Sequence, residues 1–180
     1  MPRRSLAPLR LAVSAFLTVL LASVALAQEP LISGHVVGVT DGDTIKVLSA
    51  DQHFRIRIAF IDSPEMHQAF GYRAKQAMSE LVFGREVELR VHTTDRYGRL
   101  VCLVFVEGKD AGLELIKQGL AWAYEHYLPE APAEAQQNYK AAEATARDNR
   151  LGLWADADPQ PPWEFRRLQR AARLQLATAG

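Results

Sequence analysis

The sequence contains only one cysteine, Cys102, so the chain forms no internal disulfide. It also has no cluster of cysteines and histidines of the kind that zinc prefers as ligands. Cys102 lies in the apolar run of residues 101–106, which predicts a buried side chain on a strand.

The sequence lacks an excess of positive charge. Lys+Arg and Asp+Glu both number 21, for a net charge of zero. The first 27 residues contain three arginines and no acid, so without them 18 basic residues face 21 acidic ones and the net charge is −3. This balance argues against a generally basic, sequence-independent binder of nucleic acid, although a compact site can still be locally positive.

The N-terminal apolar run, residues 11–26, is short for a membrane span, which needs about 20 predominantly apolar residues. Three arginines precede it and the small-residue pattern Ala-Leu-Ala ends at Ala27. We therefore predict a signal peptide over residues 1–27, and an exported protein, periplasmic or secreted, with no stable membrane association after cleavage. An uncleaved anchor is the alternative, and the export route stays open between the ordinary and twin-arginine pathways.

The remaining residues, about 150, match the size of one domain. Alternating and β-branched residues predict strands at 32–39, 44–48, 54–60, 87–91 and 100–106. Helical spacing predicts helices at 69–83, 113–120 and 133–150. This order favours an α+β, mainly β fold, a five-stranded barrel of the oligonucleotide/oligosaccharide-binding (OB) kind with three helices.

The domain is expected to cover residues 28–154, followed by a proline-rich and then basic C-terminal tail, residues 155–180. In this tail we expect Trp163 to pack on the surface and the rest to be frayed.

Three carboxylates and two arginines point to metal-assisted phosphoryl transfer: Asp43, Asp62, Glu65, Arg57 and Arg99. An anionic phosphodiester under attack needs a cation on its non-bridging oxygens, donors for the charge of the transition state, and a carboxylate near the attacking water. The chain offers a candidate for each role.

A hairpin of the second and third strands, turning near Asp51, would place Asp43 and Asp62 nearly opposite each other at its open end. Opposed residues have Cβ atoms about 5 Å apart, where two carboxylates repel by roughly 3 kcal/mol at an effective dielectric near 20. A divalent cation would convert this repulsion into affinity. Carboxylates and a backbone carbonyl such as that of Ser63 suit Ca²⁺, and Mg²⁺ is possible on ligand chemistry alone.

Glu65 follows Asp62 through Ser63 and Pro64, and the proline stiffens this loop so that Glu65 can face a water. Arg57 and Arg99 carry planar guanidinium groups that match phosphate oxygens. Each side chain alone also has an ordinary structural interpretation, such as a helix-terminal acid or a surface arginine.

Five short motifs follow one another along residues 37–154. They are Val39-Thr40-Asp41-Gly42-Asp43-Thr44, Arg57-Ile58-Ala59-Phe60-Ile61-Asp62-Ser63-Pro64-Glu65, Thr94-Asp95-Arg96-Tyr97-Gly98-Arg99, residues 115–121, and Gly152-Leu153-Trp154. In order and approximate spacing, this stretch resembles the staphylococcal-nuclease-like (thermonuclease) family.

The resemblance implies a role for each candidate. Asp43, Asp62 and the backbone carbonyl of Ser63 would bind Ca²⁺. Glu65 would activate or position the attacking water, while Arg57 and Arg99 bind the phosphate and stabilise the transition state. The last two roles concern substrate binding: Tyr97 would contact the terminal phosphate, and Tyr124 would stack on a base.

The implied activity is Ca²⁺-dependent hydrolysis of DNA and RNA to 3′-phosphate products, with little sequence preference, by a monomer. A catalytically silent nucleic-acid-binding OB-fold module is the main alternative, and an oligosaccharide-binding or structural barrel is a third. Silent nuclease-like domains lose the carboxylates or arginines, whereas this chain keeps all five, which favours the enzyme.

Overall fold

The computed structural model describes residues 31–178. Its strands are β1 (Leu31–Val39), β2 (Thr44–Ser49), β3 (Gln52–Ile58), β4 (Ile61–Asp62), β5 (Glu86–Thr94), β6 (Leu100–Val106), β7 (Lys109–Asp110) and β8 (Trp122–Ala123). Its helices are α1 (Gly71–Val82), α2 (Ala111–Lys117), α3 (Ala133–Asp148) and α4 (Pro162–Thr178). Short 3₁₀ turns cover Leu128–Glu130 and Gly152–Ala155.

Five strands close into a barrel, in the order β3-β2-β1-β5-β6. Neighbours in this order are antiparallel, and a parallel pairing of β3 with β6 closes the barrel. The short β7 pairs with β6, and β4 pairs with β8 in a separate two-stranded sheet. The predicted α+β class with an OB-like barrel is confirmed.

Alternation along the strands builds the core. Ile45 and Val47 of β2 and Ile56 and Ile58 of β3 are buried, while the residues between them are more exposed. Burying an aliphatic side chain of this kind stabilises the fold by about 1.5–3 kcal/mol.

The second and third helices are fixed to the barrel through Asp110. Its carboxylate caps α2 by accepting hydrogen bonds from the backbone N–H groups of Gly112 (2.8 Å) and Leu113 (3.1 Å). It also accepts a hydrogen bond of 2.7 Å from the hydroxyl of the buried Tyr139 on α3. One carboxylate therefore joins both helices to the end of β7.

The β2–β3 hairpin differs from the sequence prediction in its register. Thr44 pairs with Arg57, and the N–H of Ile58 donates to the carbonyl of Asp43 (2.8 Å). The prediction that Asp43 lies opposite Asp62 across the hairpin is therefore wrong. The chain turns back at Phe60, which has φ 61°, and β4 carries Asp62 toward β8 instead.

The structure also corrects the expectation of a frayed tail, because residues Pro162–Thr178 form the additional helix α4. Trp163, predicted to pack on the surface, is half-buried and packs against a hydrophobic cluster that contains Trp122, Leu153 and Trp154. The predicted signal peptide, residues 1–27, lies outside the described residues. Within residues 31–178, no helix is long and apolar enough to cross a membrane.

Candidate active site

A cavity of about 560 Å³ lies between the β2–β3 end of the barrel, the turn joining β5 to β6, and α4. Seven of the eight predicted site residues line it: Asp43, Arg57, Ser63, Glu65, Tyr97, Arg99 and Tyr124. The eighth, Asp62, is fully buried, and its carboxylate contacts Arg57. Segments distant in sequence therefore meet around one space.

Arg57 joins the two aspartates that the sequence singled out. Its Nη1 lies 2.9 Å from Oδ2 of Asp43, and its Nη2 lies 3.0 Å from Oδ1 of Asp62. The same guanidinium donates to the backbone carbonyls of Ile58 (3.2 Å) and Ile61 (3.1 Å), on either side of the reversal at Phe60. The reversal therefore brings the two carboxylates together around one arginine.

Ser63 holds the Asp43 carboxylate in place. The Ser63 backbone N–H and hydroxyl both donate to Oδ2 of Asp43, at 2.8 and 2.9 Å. The hydroxyl of Thr44 donates to the other oxygen, Oδ1, at 3.2 Å. Asp43 is buried, and these donors compensate for the loss of solvent around it.

Asp41 adds a carboxylate to this acidic region, a position that the sequence analysis left without a role. Burial, together with the neighbouring charge of Asp43, raises the pKa of Asp41 to about 7. The pKa of Asp62 is also raised, chiefly by burial, and the hydrogen bond from Arg166 opposes this rise. The Asp-Gly-Asp spacing was the signal in the sequence that could have identified Asp41.

These acids are oxygen donors, which suits a hard cation such as Ca²⁺ or Mg²⁺ and not zinc. Among residues 31–178, no group of three or more His, Cys, Asp or Glu side chains is arranged to hold a metal ion. Asp43 and Asp62 have the oxygen chemistry that such a cation requires, and in this structure their carboxylates are paired with Arg57 and Arg166.

Arg99 is positioned by Asp95 at the turn between β5 and β6. Asp95 Oδ1 accepts from the backbone N–H groups of Tyr97 (2.9 Å) and Arg99 (3.0 Å), and Oδ2 accepts from Nε of Arg99 (2.7 Å). Partial burial alone would raise the pKa of Asp95, but the hydrogen bonds from Arg99 and Tyr97 hold it below its ordinary value. Arg99 Nη1 then lies 3.5 Å from the hydroxyl of Thr44, on the cavity wall.

Glu65 meets an arginine that the sequence analysis did not identify. Nη1 of Arg166, on α4, lies 2.8 Å from Oε1 of Glu65 and 3.1 Å from Oδ1 of Asp62. Its Nη2 lies 2.8 Å from Oδ2 of Asp62. More than a hundred residues separate Arg166 from these acids in sequence, and no local pattern indicates the contact.

The two candidate tyrosines occupy different surroundings. Tyr97 is 70% exposed at the cavity rim, with the Arg99 guanidinium carbon 5.7 Å from its ring centre. Tyr124 stacks on Trp163, with ring centres 5.4 Å apart and planes 13° from parallel. One face of the candidate base-stacking ring is therefore covered by α4.

Comparison with known proteins agrees with this geometry. A family described as "Staphylococcal nuclease homologue" matches residues 55–156. The chain is 41% identical over 148 residues to "Micrococcal nuclease" of Shigella flexneri, which covers 77% of this chain and 83% of the relative. It is 40% identical to "Protein ParB" of Escherichia coli, over 93% of this chain and 95% of the relative.

A further relative is "Uncharacterized endonuclease" of Haemophilus influenzae, 37% identical over 75% of this chain and 73% of the relative. The family match spans more than half of the chain, and together with these relatives it confirms the resemblance drawn from the motifs. The chain belongs to the staphylococcal nuclease homologue family.

Proposed function

We propose that this chain is an endonuclease that hydrolyses phosphodiester bonds of DNA and RNA in a Ca²⁺-dependent reaction, leaving 3′-phosphate ends. The observation that carries the proposal is the convergence of Asp43, Arg57, Glu65 and Arg99 on one cavity, with the buried Asp62 joined to them through Arg57. Family membership and the names of the relatives support phosphodiester hydrolysis.

Two arginines would bind the reacting phosphate. The Arg99 side chain is 21% exposed and is held through Nε by Asp95, which leaves its Nη groups directed at the cavity. Arg57, 15% exposed, would exchange its contacts with Asp43 and Asp62 for the phosphate when the cation binds those carboxylates. Planar guanidinium groups suit the non-bridging oxygens and the charge that develops on them in the transition state.

Asp43 and Asp62 would hold the cation, and Ser63 would add its backbone carbonyl. When bound, the cation supplies positive charge that neutralises the phosphate and polarises it toward attack. The protein's own side chains would position the attacking water and contact the substrate.

Glu65 would act on the attacking water. Its side chain is 39% exposed and lines the cavity, so a water can reach its carboxylate. Transfer of a proton from that water to Glu65 would accompany attack on phosphorus. The bond to the 5′-oxygen would break, and this oxygen would take a proton from solvent water, which leaves a 3′-phosphate and a 5′-hydroxyl. Tyr97 at the rim would contact a terminal phosphate, and Tyr124 would contact a base.

A catalytically silent nucleic-acid-binding module is the second candidate. The observation that favours it is that Asp43, Asp62 and Glu65 are each paired with an arginine in the folded chain.

The N-terminal pattern of residues 1–27 supports export to the periplasm or the medium, and we expect the exported chain to act as a monomer.

The test is digestion of plasmid DNA, single-stranded DNA and RNA by residues 28–180, with Ca²⁺, with Mg²⁺ and with a chelator. We expect cleavage that needs Ca²⁺ and a loss of about 10²–10⁴-fold in Glu65→Gln, the range for a lost general base. Glu164→Gln, at an exposed position on α4, is the matched control and should cleave normally.

Identification of product ends checks the bond that is cleaved. Oligonucleotide binding without cleavage under every metal condition would contradict the enzyme and favour the silent module. Full activity in the chelator would remove the cation from the mechanism.

A further inference from the structure

The C-terminal helix α4 lies beyond residues 55–156, which the family match covers, yet it reaches the candidate active site. We infer that Arg166 of α4 is a positioning residue for the reaction, which sets the relative positions of the Asp62 and Glu65 carboxylates. The inference rests on the proposed nuclease function.

The contact geometry joins the two acids through a single nitrogen. Nη1 of Arg166 lies within hydrogen-bonding distance of both Asp62 (3.1 Å) and Glu65 (2.8 Å), while Nη2 binds the second oxygen of Asp62 (2.8 Å). A planar guanidinium with two parallel hydrogen bonds to one carboxylate has a defined orientation. The third bond therefore fixes the Glu65 carboxylate relative to Asp62.

Glu65 depends on this contact more than Asp62 does. Asp62 is fully buried and also binds Arg57. Glu65 lies on the loop after Pro64, and Arg166 is the one partner recorded for its carboxylate within residues 31–178. Without Arg166, the side chain of Glu65 would be free to sample several rotamers in the cavity.

Helix α4 is firmly attached at its N-terminal end, so Arg166 is held in place and does not belong to a loose tail. Trp163 stacks on Tyr124 and meets Trp122 edge-on, with ring centres 5.5 Å apart. Pro162 is buried, and the carbonyl of Gln160 accepts a hydrogen bond of 2.5 Å from the side chain of Gln68. Gln68 follows Glu65 closely, so the same loop contacts α4 through Arg166 and the segment just before α4 through Gln160.

The guanidinium groups of Arg57 and Arg166 alternate with the three acids. Arg57 spans Asp43 and Asp62, and Arg166 spans Asp62 and Glu65. Arg166 thereby connects the residue that would act on water to the pair that would hold the cation. Because a displacement of about 1 Å can lower a rate by about 10²-fold, this connection affects turnover more than binding.

The experiment compares kcat and KM on one oligonucleotide with Ca²⁺ for wild type, Arg166→Ala, Arg166→Lys and the control Arg167→Ala. Arg167 is exposed on the same helix and does not line the cavity, so its change removes equal charge without touching the site. We expect kcat of Arg166→Ala to fall about 10²-fold with KM within about threefold of wild type. Arg166→Lys should recover part of kcat, and Arg167→Ala should match wild type within about twofold, since its charge is remote from the cavity.

Chemical rescue and melting separate positioning from a structural role. Millimolar guanidinium should raise kcat of Arg166→Ala and leave Arg167→Ala unchanged, because the small cation can replace the missing group between the carboxylates. If the Ala variant fails to fold, the Lys variant decides, with at least about tenfold lower kcat at an unchanged Tm supporting the inference.

Three results would overturn the inference that Arg166 is a positioning residue. Wild-type kcat in Arg166→Ala would make the contact incidental, and higher kcat would mean that Arg166 blocks the site. A loss without guanidinium rescue, accompanied by a lower Tm, would assign Arg166 a structural role. Absence of cleavage by wild type is a separate result that would reject the proposed nuclease function and this inference with it.

Discussion

Asp95 shows how a single carboxylate outside the reacting groups can organise the site. It accepts three hydrogen bonds, from the backbone N–H groups of Tyr97 and Arg99 and from Nε of Arg99. Both the turn between β5 and β6 and the direction of the Arg99 side chain therefore depend on one ionised group.

Replacing Asp95 by Asn should destabilise the fold by about 1.5–3 kcal/mol at pH 7, the range for hydrogen bonds to a charged group. Since the pKa of Asp95 is lowered in the folded chain, its contribution is present above the ordinary value of 3.8 and is lost as the pH falls through the folded-state pKa. Urea unfolding between pH 7 and pH 3 measures the difference.

The difference between wild type and Asp95→Asn should shrink toward pH 3. Asp156→Asn, at an exposed position, is the control and should cost little at any pH. A difference that stays constant from pH 7 to pH 3 would contradict the charge-based explanation.

At the level of residues, the local motifs singled out side chains that the structure brings to one cavity, but they did not indicate the long-range partners of these side chains. Asp43, Arg57 and Glu65 were found because their neighbours in sequence are as distinctive as they are. Arg166 was missed because its partners, Asp62 and Glu65, lie 104 and 101 positions away. This contact depends on how α4 packs against the barrel, and the spacing of residues along the sequence does not predict it.

At the level of elements, α4 is the feature that the sequence analysis missed. Its leucines are largely exposed, Leu168 at 50% and Leu174 at 68%, so much of the helix does not pack against the rest of the described chain. Pro162 at its first position is a helix-start signal that could have been used.

Replacing Trp163 by Ala should loosen α4 while the barrel stays folded. The ring makes two aromatic pairs, with Tyr124 and Trp122, each contributing about 0.5–1.5 kcal/mol. Losing about 2 kcal/mol should speed amide hydrogen exchange in α4 about 30-fold, measured by mass spectrometry, with exchange in the barrel strands unchanged.

Leu168→Ala is the control for this change, because it removes a half-exposed side chain from the same helix. Equal exchange rates in the Trp163 and Leu168 variants would show that the aromatic contacts do not hold the helix. If α4 positions Arg166, nuclease turnover of the Trp163 variant should fall together with the protection of α4.

The β2–β3 register is set by a tight turn at Ala50 and Asp51, between the paired Ser49 and Gln52. The position of Asp62 was predicted wrongly for a second reason, which concerns the end of β3. Hydrophobic alternation from Phe54 to Phe60 reads as one continuous strand, but β3 ends at Ile58 and the chain reverses at Phe60 with a positive φ. Only a few per cent of non-glycine residues adopt such a φ, so the residue types in this segment do not predict a turn at Phe60.

At the level of the whole molecule, two glycines join the C-terminal part to the barrel. Gly119 and Gly152 have φ of 66° and 53°, and the N–H of Leu153 donates to the carbonyl of Gly119 (2.8 Å). A Cβ on Gly119 would overlap the backbone carbonyl of Leu151. The close approach precedes Trp154, which packs against Trp122, so the docking of α4 depends on it.

Gly119→Ala should therefore lower the free energy of unfolding by about 3 kcal/mol or more, from backbone overlap together with an unfavourable φ. Gly108→Ala is the matched control, since its φ of 75° is similar but no atom lies within 4 Å of the added Cβ. It should cost only about 1–2 kcal/mol. If chemical denaturation gave equal losses in the free energy of unfolding for the two variants, the overlap with Leu151 would be relieved by a small shift of the backbone.

The parallel pairing of β3 with β6 is a contact between distant parts of the chain. It joins Arg57 to Val101, and so it brings together segments separated by helix α1 and by two strands, β4 and β5. Pairings between such distant segments form slowly, because the conformational entropy of the loop between them is lost before the new contacts stabilise the pair. The two candidate phosphate-binding arginines, Arg57 and Arg99, come from opposite sides of this pairing. A newly made or still unfolded chain consequently lacks the assembled cavity, and the capacity to cut nucleic acid arises only when the barrel has closed.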